Sequence, residues 1–185
     1  MARTPSNMLA LNTKAPDFTL LDTKSNINLS LHTLKGRKAT VIMFICNHCP
    51  FVIHVNPELV KLADEYQTKG VSFIAISSND VINYPQDGPD KMQQHAKDNH
   101  YPFPYLYDAT QEVAKAYDAA CTPDFYVFNE DLKLSYRGQL DDSRPGNDIP
   151  LTGKNMRHAL DCLLSKTSNT QEQKPSIGCN IKWKN

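Results

Sequence analysis

Residues 40–49 read TVIMFICNHC, an apolar run that ends in two cysteines separated by two residues. The run at residues 40–45 has the length of a buried strand, and apolar residues with helical spacing follow at residues 50–67. Cys46 and Cys49 therefore stand where a strand turns into a helix, and the free N–H groups of a helix N-terminus stabilise a thiolate. The stretch predicts a redox-active cysteine pair.

Composition limits the classes of function that this pair can serve. The chain has 185 residues, a length that suits one domain. Its 20 basic and 20 acidic side chains balance, so there is no excess of positive charge to bind nucleic acid or an anionic membrane. We expect neither a signal peptide nor a membrane-spanning helix, because no apolar run is long enough. The expected compartment is the cytoplasm, where the five cysteines are not expected to form structural disulfides.

The segments around the cysteine stretch predict an α/β fold. Residues 16–21 and 27–29 read as the two strands of an N-terminal hairpin, with a turn at residues 22–26. Residues 71–76 form a second buried strand after the first helix, and this strand-helix-strand order implies parallel pairing. Further helices are predicted at residues 90–99, 111–120 and 152–164.

The second half of the chain predicts antiparallel strands. Residues 125–128 and 132–136 flank three polar residues and read as a hairpin. Residues 103–107 read as a short extended segment. Pro102 and Pro104 predict that this segment lies at the edge of the sheet, because proline donates no hydrogen bond to a neighbouring strand.

The composition turns polar after Lys166, which predicts one domain at residues 1–166 and a C-terminal extension at residues 167–185 outside the core. The extension nevertheless ends in apolar residues, and an indole usually finds apolar cover. We therefore expect Ile181 and Trp183 to dock onto the domain or onto a second copy of it.

The order of these elements resembles the thioredoxin fold, with a Cys-x-x-Cys after the first central strand and Thr122-Pro123 before the hairpin. The resemblance implies a central mixed sheet with flanking helices. It also implies that Pro123 is a cis-proline facing the dithiol. The backbone of Thr122 would then pair with an extended substrate or hold the site open. The alternative is a trans proline in an ordinary loop.

Five segments are similar to those of the peroxiredoxin-like branch of the same superfamily, which is grouped with alkyl hydroperoxide reductases and thiol-specific antioxidants. These segments are residues 46–52 (CNHCPFV), 102–106 (PFPYL), 121–125 (CTPDF), 136–142 (YRGQLDD) and 177–183 (IGCNIKW). The resemblance covers nearly the whole chain. It implies redox chemistry at the cysteine pair, with a disulfide or a peroxide as the oxidant.

The site departs from the peroxiredoxin pattern Pro-x-x-x-Thr-x-x-Cys. If Cys49 is the peroxidatic cysteine, Cys46 stands where the threonine belongs and Ile42 where the proline belongs. Thr122 falls near the place of the family's arginine, and Arg137 is the candidate to replace that cation. Disulfide exchange needs only an activated thiol, a partner thiol and an accessible site. We therefore favour exchange over peroxide reduction.

The two cysteines and the histidine between them receive separate roles. Cys46 is assigned as the exposed attacking nucleophile and Cys49 as the resolving thiol, one turn deeper. His48 occupies a position that holds histidine in strongly oxidising thioredoxin relatives. The resemblance implies that its imidazole stabilises the thiolate and makes the disulfide more oxidising. The alternative is an exposed turn residue with little effect.

Three further cysteines need an explanation. Cys121 abuts the proline loop and Cys179 lies in the extension, so each is a candidate third redox thiol or a spectator. Cys162 is assigned to the core as a small hydrophobe. Zinc is the main rival explanation of the pair, with His54, Cys121 or Cys179 as added ligands, but zinc usually takes four ligands and the sequence has no second Cys-x-x-Cys. We predict no metal and no cofactor.

These interpretations converge on a single thioredoxin-like α/β domain that catalyses cytoplasmic exchange with a protein or small-molecule thiol or disulfide. The first alternative is a peroxide reductase in which Cys49 is oxidised and Cys46 or Cys179 resolves the sulfenic acid. The second alternative is a non-catalytic module that holds a partner chain at its proline loop. We expect no nucleic-acid or membrane partner, and the oligomeric state stays open.

Overall fold

The computed structural model describes residues 3–184. Its strands are β1 (Arg3–Pro5), β2 (Thr19–Asp22), β3 (Ile27–Ser30), β4 (Ala39–Phe44), β5 (Val71–Ser77), β6 (Tyr105–Tyr107), β7 (Cys121–Thr122), β8 (Asp124–Asn129), β9 (Leu134–Gly138) and β10 (Ile177–Asn180). Its helices are α1 (Leu31–Leu34), α2 (Pro50–Gln67), α3 (Pro89–Asp98), α4 (Glu112–Ala116) and α5 (Lys154–Leu164). Within the described residues, no helix is long and apolar enough to cross a membrane.

β4 lies inside a seven-stranded mixed sheet with the order β3-β2-β6-β5-β4-β8-β9. It runs parallel to β5, with Ile42 opposite Ile74, and antiparallel to β8. All six of its side chains are buried, as expected for a strand covered on both faces. This mixed sheet with flanking helices confirms the predicted thioredoxin-like fold.

Side chains of β4 alternate between two core clusters. Val41 and Met43 belong to the cluster that α2 and α5 cover, whereas Ile42 and Phe44 belong to the cluster on the opposite face. In that second cluster the rings of Phe44 and Tyr117 lie 5.7 Å apart between centroids. Packing on both faces fixes the carboxyl end of β4, where the cysteine pair begins.

Both predicted hairpins are confirmed. β2 and β3 pair antiparallel with Asp22 opposite Ile27. The Asp22 carboxylate accepts hydrogen bonds from the Ser25 backbone N–H (3.0 Å) and hydroxyl (2.6 Å), which closes the turn. β8 and β9 form the second hairpin, with a shift of register between Val127 and Phe128.

The expected edge position of the segment at residues 103–107 is wrong, because β6 lies between β2 and β5 inside the sheet. Pro102 and Pro104 precede its first residue, Tyr105, so they remove no donor from the strand itself. The Pro104 carbonyl even accepts a hydrogen bond from the Ala75 N–H at 3.1 Å. The helix expected at residues 111–120 is shorter than expected, with five residues in α4.

The end of the chain does not lie outside the core, contrary to expectation. β10 is the middle strand of a second sheet with the order β1-β10-β7. Cys179 and Ile181 are buried, whereas residues 165–175 are exposed or half-buried. Trp183 is 40% exposed, with the Lys115 ammonium 5.9 Å from its ring centroid. Strand pairing therefore carries the end of the chain into the domain, and Ile181 docks more completely than Trp183.

Candidate active site

The cysteine pair occupies the turn between β4 and α2. α2 begins at Pro50, a residue suited to the first helical position because its missing N–H would have no partner there. Cys49 is the N-cap residue, and its carbonyl accepts hydrogen bonds from the N–H groups of Val52 (3.0 Å) and Ile53 (2.9 Å). The helix N-terminus therefore lies at Cys49 rather than at Cys46.

The prediction that Cys46 is exposed is wrong. Its side chain is 1% exposed and that of Cys49 is fully buried. The turn is held against a short 3-10 helix at Pro85–Asp87. The Asn47 N–H donates to the Asp87 carboxylate at 2.8 Å, and the Asn47 side-chain amide donates to the Gln86 carbonyl at 2.8 Å. A loop that sequence analysis left without a role therefore anchors the residue next to Cys46.

The proline loop faces the dithiol, as the resemblance implied. The Thr122–Pro123 peptide bond is cis. The Thr122 hydroxyl lies 3.4 Å from the Cys46 Sγ, and the Thr122 carbonyl lies 3.1 Å from the Cys49 Sγ, where a protonated Cys49 donates to it. The structure thus brings Cys46, Cys49 and Thr122 together across 73 to 76 residues of chain.

Cys179 joins the same cluster from the end of the chain. β10 pairs antiparallel with β7, which places Cys179 opposite Thr122. The Cys179 Sγ lies 2.9 Å from the Cys49 Sγ. Three thiols therefore meet at one point, with Cys49 in the middle.

The central position of Cys49 shapes the acidity of all three thiols. Hydrogen bonds from the Cys46 thiol, the Cys179 thiol and the Val52 N–H lower the pKa of Cys49, although burial opposes them. The pKa of Cys46 is raised by its hydrogen bond to Cys49, by burial and by the charge of Asp87. Burial, followed by the hydrogen bond to Cys49, raises the pKa of Cys179. The negative charge of the cluster therefore rests on Cys49.

His48 contacts a buried carboxylate. Its Nδ1 lies 2.7 Å from the Asp87 Oδ2, in a direction that does not meet hydrogen-bond geometry, so the contact is an ion pair whenever the imidazole is protonated. The imidazole also stacks on Tyr84, with ring centroids 5.8 Å apart and planes 6° from parallel. Asp87 is fully buried and also accepts a hydrogen bond from the Asn79 amide at 2.8 Å. Sequence analysis missed Asp87 because its loop has no pattern that links it to the cysteines.

Cys46, His48 and Asp87 could each offer one ligand atom to a metal ion, and these atoms lie within 4.8 Å of one another. A structural zinc site usually takes four ligands. Both carboxylate oxygens of Asp87 already accept hydrogen bonds, from the Asn47 N–H and the Asn79 amide. The donor set thus suits an electrostatic contact better than a zinc site.

The other candidate residues lie in different environments. Cys121 is buried, its Sγ lies 3.6 Å from the Pro123 carbonyl, and burial raises its pKa, which keeps it a thiol. Cys162 is half-buried on α5 and lies 3.5 Å from a ring nitrogen of His158, outside the core position that was expected. His54 pairs with the Ser143 hydroxyl at 2.7 Å.

Arg137 was the candidate to replace the peroxiredoxin arginine. Its Nε donates to the Leu9 carbonyl at 2.9 Å and its Nη1 donates to the Gln173 side-chain carbonyl at 2.7 Å. It lies on β9, at the edge of the sheet, whereas the cysteine pair follows β4. The guanidinium therefore holds loops onto β9 rather than polarising a substrate at the cysteines.

A cysteine pair at the N-terminus of a helix, opposite a cis-proline on a mixed sheet, defines a redox protein of the thioredoxin fold. Comparison with known families agrees, because the Redoxin family matches residues 10–154. The chain belongs to the Redoxin family.

Two solved structures are similar over the whole chain. An uncharacterized conserved protein from Geobacillus kaustophilus is 60% identical, with a TM-score of 0.98 over 100% of this chain and 97% of that one. A hypothetical protein from Sinorhizobium meliloti is 43% identical, with a TM-score of 0.95 over 98% of both chains. A comparison with curated proteins found no match.

More distant structures share the fold. A peroxidoxin from Mycobacterium tuberculosis is 18% identical, with a TM-score of 0.64 over 85% of this chain and 98% of that one. The thioredoxin domain of a thiol-disulfide oxidoreductase from Bacteroides vulgatus is also 18% identical, with a TM-score of 0.62 over 82% of this chain and 99% of that one. These neighbours share the thioredoxin fold, and the match to the Redoxin family supports a thioredoxin-like redox function.

Proposed function

We propose that the protein is a thiol-disulfide oxidoreductase that uses Cys46 and Cys49 as its dithiol. The observation that carries the proposal is that the sulfurs of Cys46 and Cys49 both contact Thr122, beside the cis Thr122–Pro123 bond. Cys46 contacts the Thr122 hydroxyl, and the lowered pKa of Cys49 favours its thiolate. Such a pair holds both the attacking and the resolving sulfur of an exchange reaction.

In the first step Cys46 attacks one sulfur of a partner disulfide while its proton passes to Cys49. A mixed disulfide forms at Cys46, and the partner sulfur that leaves as a thiolate takes up that proton. The Cys49 thiolate then attacks the Cys46 Sγ, which releases the second partner thiolate and forms the Cys46–Cys49 disulfide. Two electrons pass to the partner disulfide, and the reverse sequence oxidises a partner dithiol.

The burial of Cys46 restricts this reaction. Because its side chain is 1% exposed, a partner sulfur reaches it only when the turn opens locally. The turn is held to the 3-10 helix by the hydrogen bonds of Asn47, and Asn47 and His48 are themselves partly exposed. We therefore expect the opening to involve Asn47 and His48, the partly exposed residues that follow Cys46.

Peroxide reduction is the second candidate, and the lowered pKa of Cys49 favours it. The Cys49 thiolate would attack a peroxide oxygen, which yields a sulfenic acid and, after protonation of the leaving oxygen, an alcohol or water. The Cys46 thiol would then condense with the sulfenic acid and release water as the disulfide forms. The hydrogen bonds of Arg137 to Leu9 and Gln173 speak against this candidate, because an arginine engaged there does not supply the cation that would stabilise the developing charge on the peroxide.

A comparison of wild type, Cys46→Ser and Cys162→Ser tests the proposal. Each reduced protein is mixed with an aromatic disulfide whose thiolate is coloured, and peroxide consumption is followed in parallel. We expect wild type and Cys162→Ser to release both aromatic thiolates and to form the Cys46–Cys49 disulfide. We expect Cys46→Ser to exchange much more slowly, because the aromatic disulfide must then reach Cys49, which is fully buried. Unchanged exchange in Cys46→Ser would overturn the proposal, whereas peroxide consumption that survives in that variant would favour the second candidate.

A further inference from the structure

We propose that Cys179 is a third redox thiol, presented to Cys49 by a strand of the same chain that occupies the substrate-pairing edge beside the cis-proline. The proposal deepens the proposed function, on which it rests, by naming an internal partner for the dithiol. It also names the class of external partner that the filled edge favours, which is a small-molecule thiol or disulfide.

The backbone pairing places Cys179 in this role. β10 runs antiparallel to β7, with Cys179 opposite Thr122 and Asn180 opposite Cys121. Gly178 permits the close approach, because a Cβ at this position would lie 1.9 Å from the Thr122 carbonyl oxygen. The strand therefore fills the edge at which a partner's extended backbone would pair with Thr122.

Neighbouring contacts fix the strand before any reaction takes place. β1 pairs with its other edge, and the Ile181 N–H donates to the Ala120 carbonyl at 3.1 Å. The Lys182 N–H donates to the Asn79 side chain at 2.8 Å. The Lys182 carbonyl accepts from the Asp80 N–H and from the Gln111 amide, each at 2.8 Å. Cys179 is thus ordered in the folded protein, and forming a bond to Cys49 requires little further ordering.

The sulfur atoms are close to bonding distance. The Cys49 Sγ and Cys179 Sγ lie 2.9 Å apart, so a movement of about 1 Å brings them to the bond length of about 2.05 Å. Starting from the Cys46–Cys49 disulfide, the Cys179 sulfur attacks the Cys49 Sγ after losing its proton. The Cys49–Cys179 bond forms, the Cys46–Cys49 bond breaks, and Cys46 leaves as a thiolate that takes up the proton. The exchange needs no external oxidant or reductant.

This exchange changes what the site can accept. The new disulfide returns Cys46 to a thiol beside His48 and Asp87 while it ties β10 to the active site. A protein partner would have to displace β10 to pair with Thr122. A small-molecule disulfide needs only to reach the Cys46 thiol, which attacks one of its sulfurs and releases the other as a thiolate, and this reaction does not need the edge of β7.

Disulfide mapping of Cys46→Ser tests the inference. The reduced variant is oxidised with one equivalent of diamide, which takes up two electrons and two protons, and the disulfides are identified by mass spectrometry under native conditions. We expect Cys49–Cys179 as the main product in Cys46→Ser and in the matched double variant Cys46→Ser/Cys162→Ser. We expect this product to be lost in Cys46→Ser/Cys179→Ser.

The outcomes separate this inference from the proposed function. If wild type forms Cys46–Cys49 but Cys46→Ser forms no Cys49–Cys179, the inference fails and the proposed function stands. If wild type forms Cys49–Cys179 without turnover of any disulfide, the inference stands and the proposed function fails. A product dominated by Cys121 or Cys162 in Cys46→Ser would overturn the inference.

A second variant tests the strand independently of the thiols. Gly178→Ala should displace β10 because of the contact with the Thr122 carbonyl. In Gly146→Ala the Cβ meets no atom within 4 Å, and the positive φ of 83° strains only the backbone of an exposed residue. In the Cys46→Ser background we expect Gly178→Ala, but not Gly146→Ala, to slow formation of Cys49–Cys179 several-fold and to change the fluorescence of Trp183. Formation at an unchanged rate in Gly178→Ala would contradict the role of the strand.

Discussion

Two regions deliver a thiol to Cys49, and they do so by different means. The turn after β4 supplies Cys46, three positions away along the chain. β10 supplies Cys179, which is 130 residues away in sequence and reaches Cys49 only through strand pairing with β7. The contact on the turn side depends on local geometry, whereas the contact on the strand side depends on the whole fold. Only the first can be recognised from residue spacing.

The largest expected effect removes the sulfur that both regions share. Cys49→Ser leaves Cys46 and Cys179 without their common partner, so neither disulfide of the cluster forms and the mixed disulfide at Cys46 is not resolved. We expect exchange to fall on the order of 10³-fold or more, as is typical when the central member of a reacting group is lost. Turnover with the aromatic disulfide measures the loss, and Cys162→Ser is the matched control. A fall of less than tenfold would show that the two regions act separately.

The second-largest effect is expected on unfolding, because an unfolded chain should form the disulfide of the turn and not the disulfide to β10. In an unfolded chain the probability that two cysteines meet falls roughly as the 3/2 power of loop length, so the turn pair should be favoured over the distant pair by about 10²-fold. We therefore expect wild type oxidised in concentrated urea to contain Cys46–Cys49 and little Cys49–Cys179. Native Cys46→Ser provides the reference in which the fold brings Cys179 into place. Abundant Cys49–Cys179 in urea would mean that the strand does not depend on the fold.

This difference also explains how far the sequence could be interpreted. The turn at residues 22–26 and the apolar run at residues 40–45 are local patterns, and both gave the correct elements. The prediction that this segment is an edge strand was wrong because Pro102 and Pro104 lack a backbone N–H only at their own positions. Both residues precede Tyr105, the first residue of β6. The neighbours of a strand in a sheet depend on the topology of the whole chain, and the residues of one short segment do not show that topology.

The site shows the same division. The spacing of Cys46 and Cys49 predicted the pair, but not that the helix begins at Pro50 and places its N-terminus at Cys49. The exposure of Cys46 depends on the 3-10 helix that ends in Asp87, forty residues away in sequence from Asn47. A buried carboxylate in a polar loop gives no periodic signal. Cys179 could be noted as a candidate but could not be placed.

Removing the strand-side thiol should change the acidity of the shared sulfur. The hydrogen bond between the side chains of Cys49 and Cys179 lowers the pKa of Cys49, so Cys179→Ala should raise that pKa toward the value of a free cysteine. Because the folded pKa of Cys49 is lowered, its contribution to stability is complete above the unfolded pKa of about 8.5 and is lost as pH falls through the folded value. In Cys179→Ala the contribution should be smaller, and its loss should be complete at a higher pH.

Thiolate absorbance followed against pH measures this shift, with Cys162→Ala as the control for the loss of one thiol. Urea unfolding at several pH values measures the associated stability. An unchanged titration of Cys49 in Cys179→Ala would show that the turn side alone sets its acidity, and the two regions would then be electrostatically independent.

The smallest expected effect lies wholly on the turn side, at His48 and Asp87. The charge of Asp87 raises the pKa of Cys46, and a protonated imidazole 2.7 Å from that carboxylate offsets the charge. His48→Ala should therefore disfavour the Cys46 thiolate and make the Cys46–Cys49 couple more reducing, whereas Asp87→Asn should make it more oxidising. We expect shifts of about 30 mV, equivalent to about 1.4 kcal/mol for a two-electron couple.

Equilibration with glutathione measures the potential, and Asp90→Asn, which removes an exposed carboxylate nearby, is the control for Asp87→Asn. Opposite signs for the two variants would show that His48 acts through Asp87, because a purely structural disturbance of the turn would shift both potentials in one direction. An unchanged potential in His48→Ala would show that His48 has no effect on the Cys46–Cys49 couple, and that of these two residues only Asp87 can influence its reduction potential.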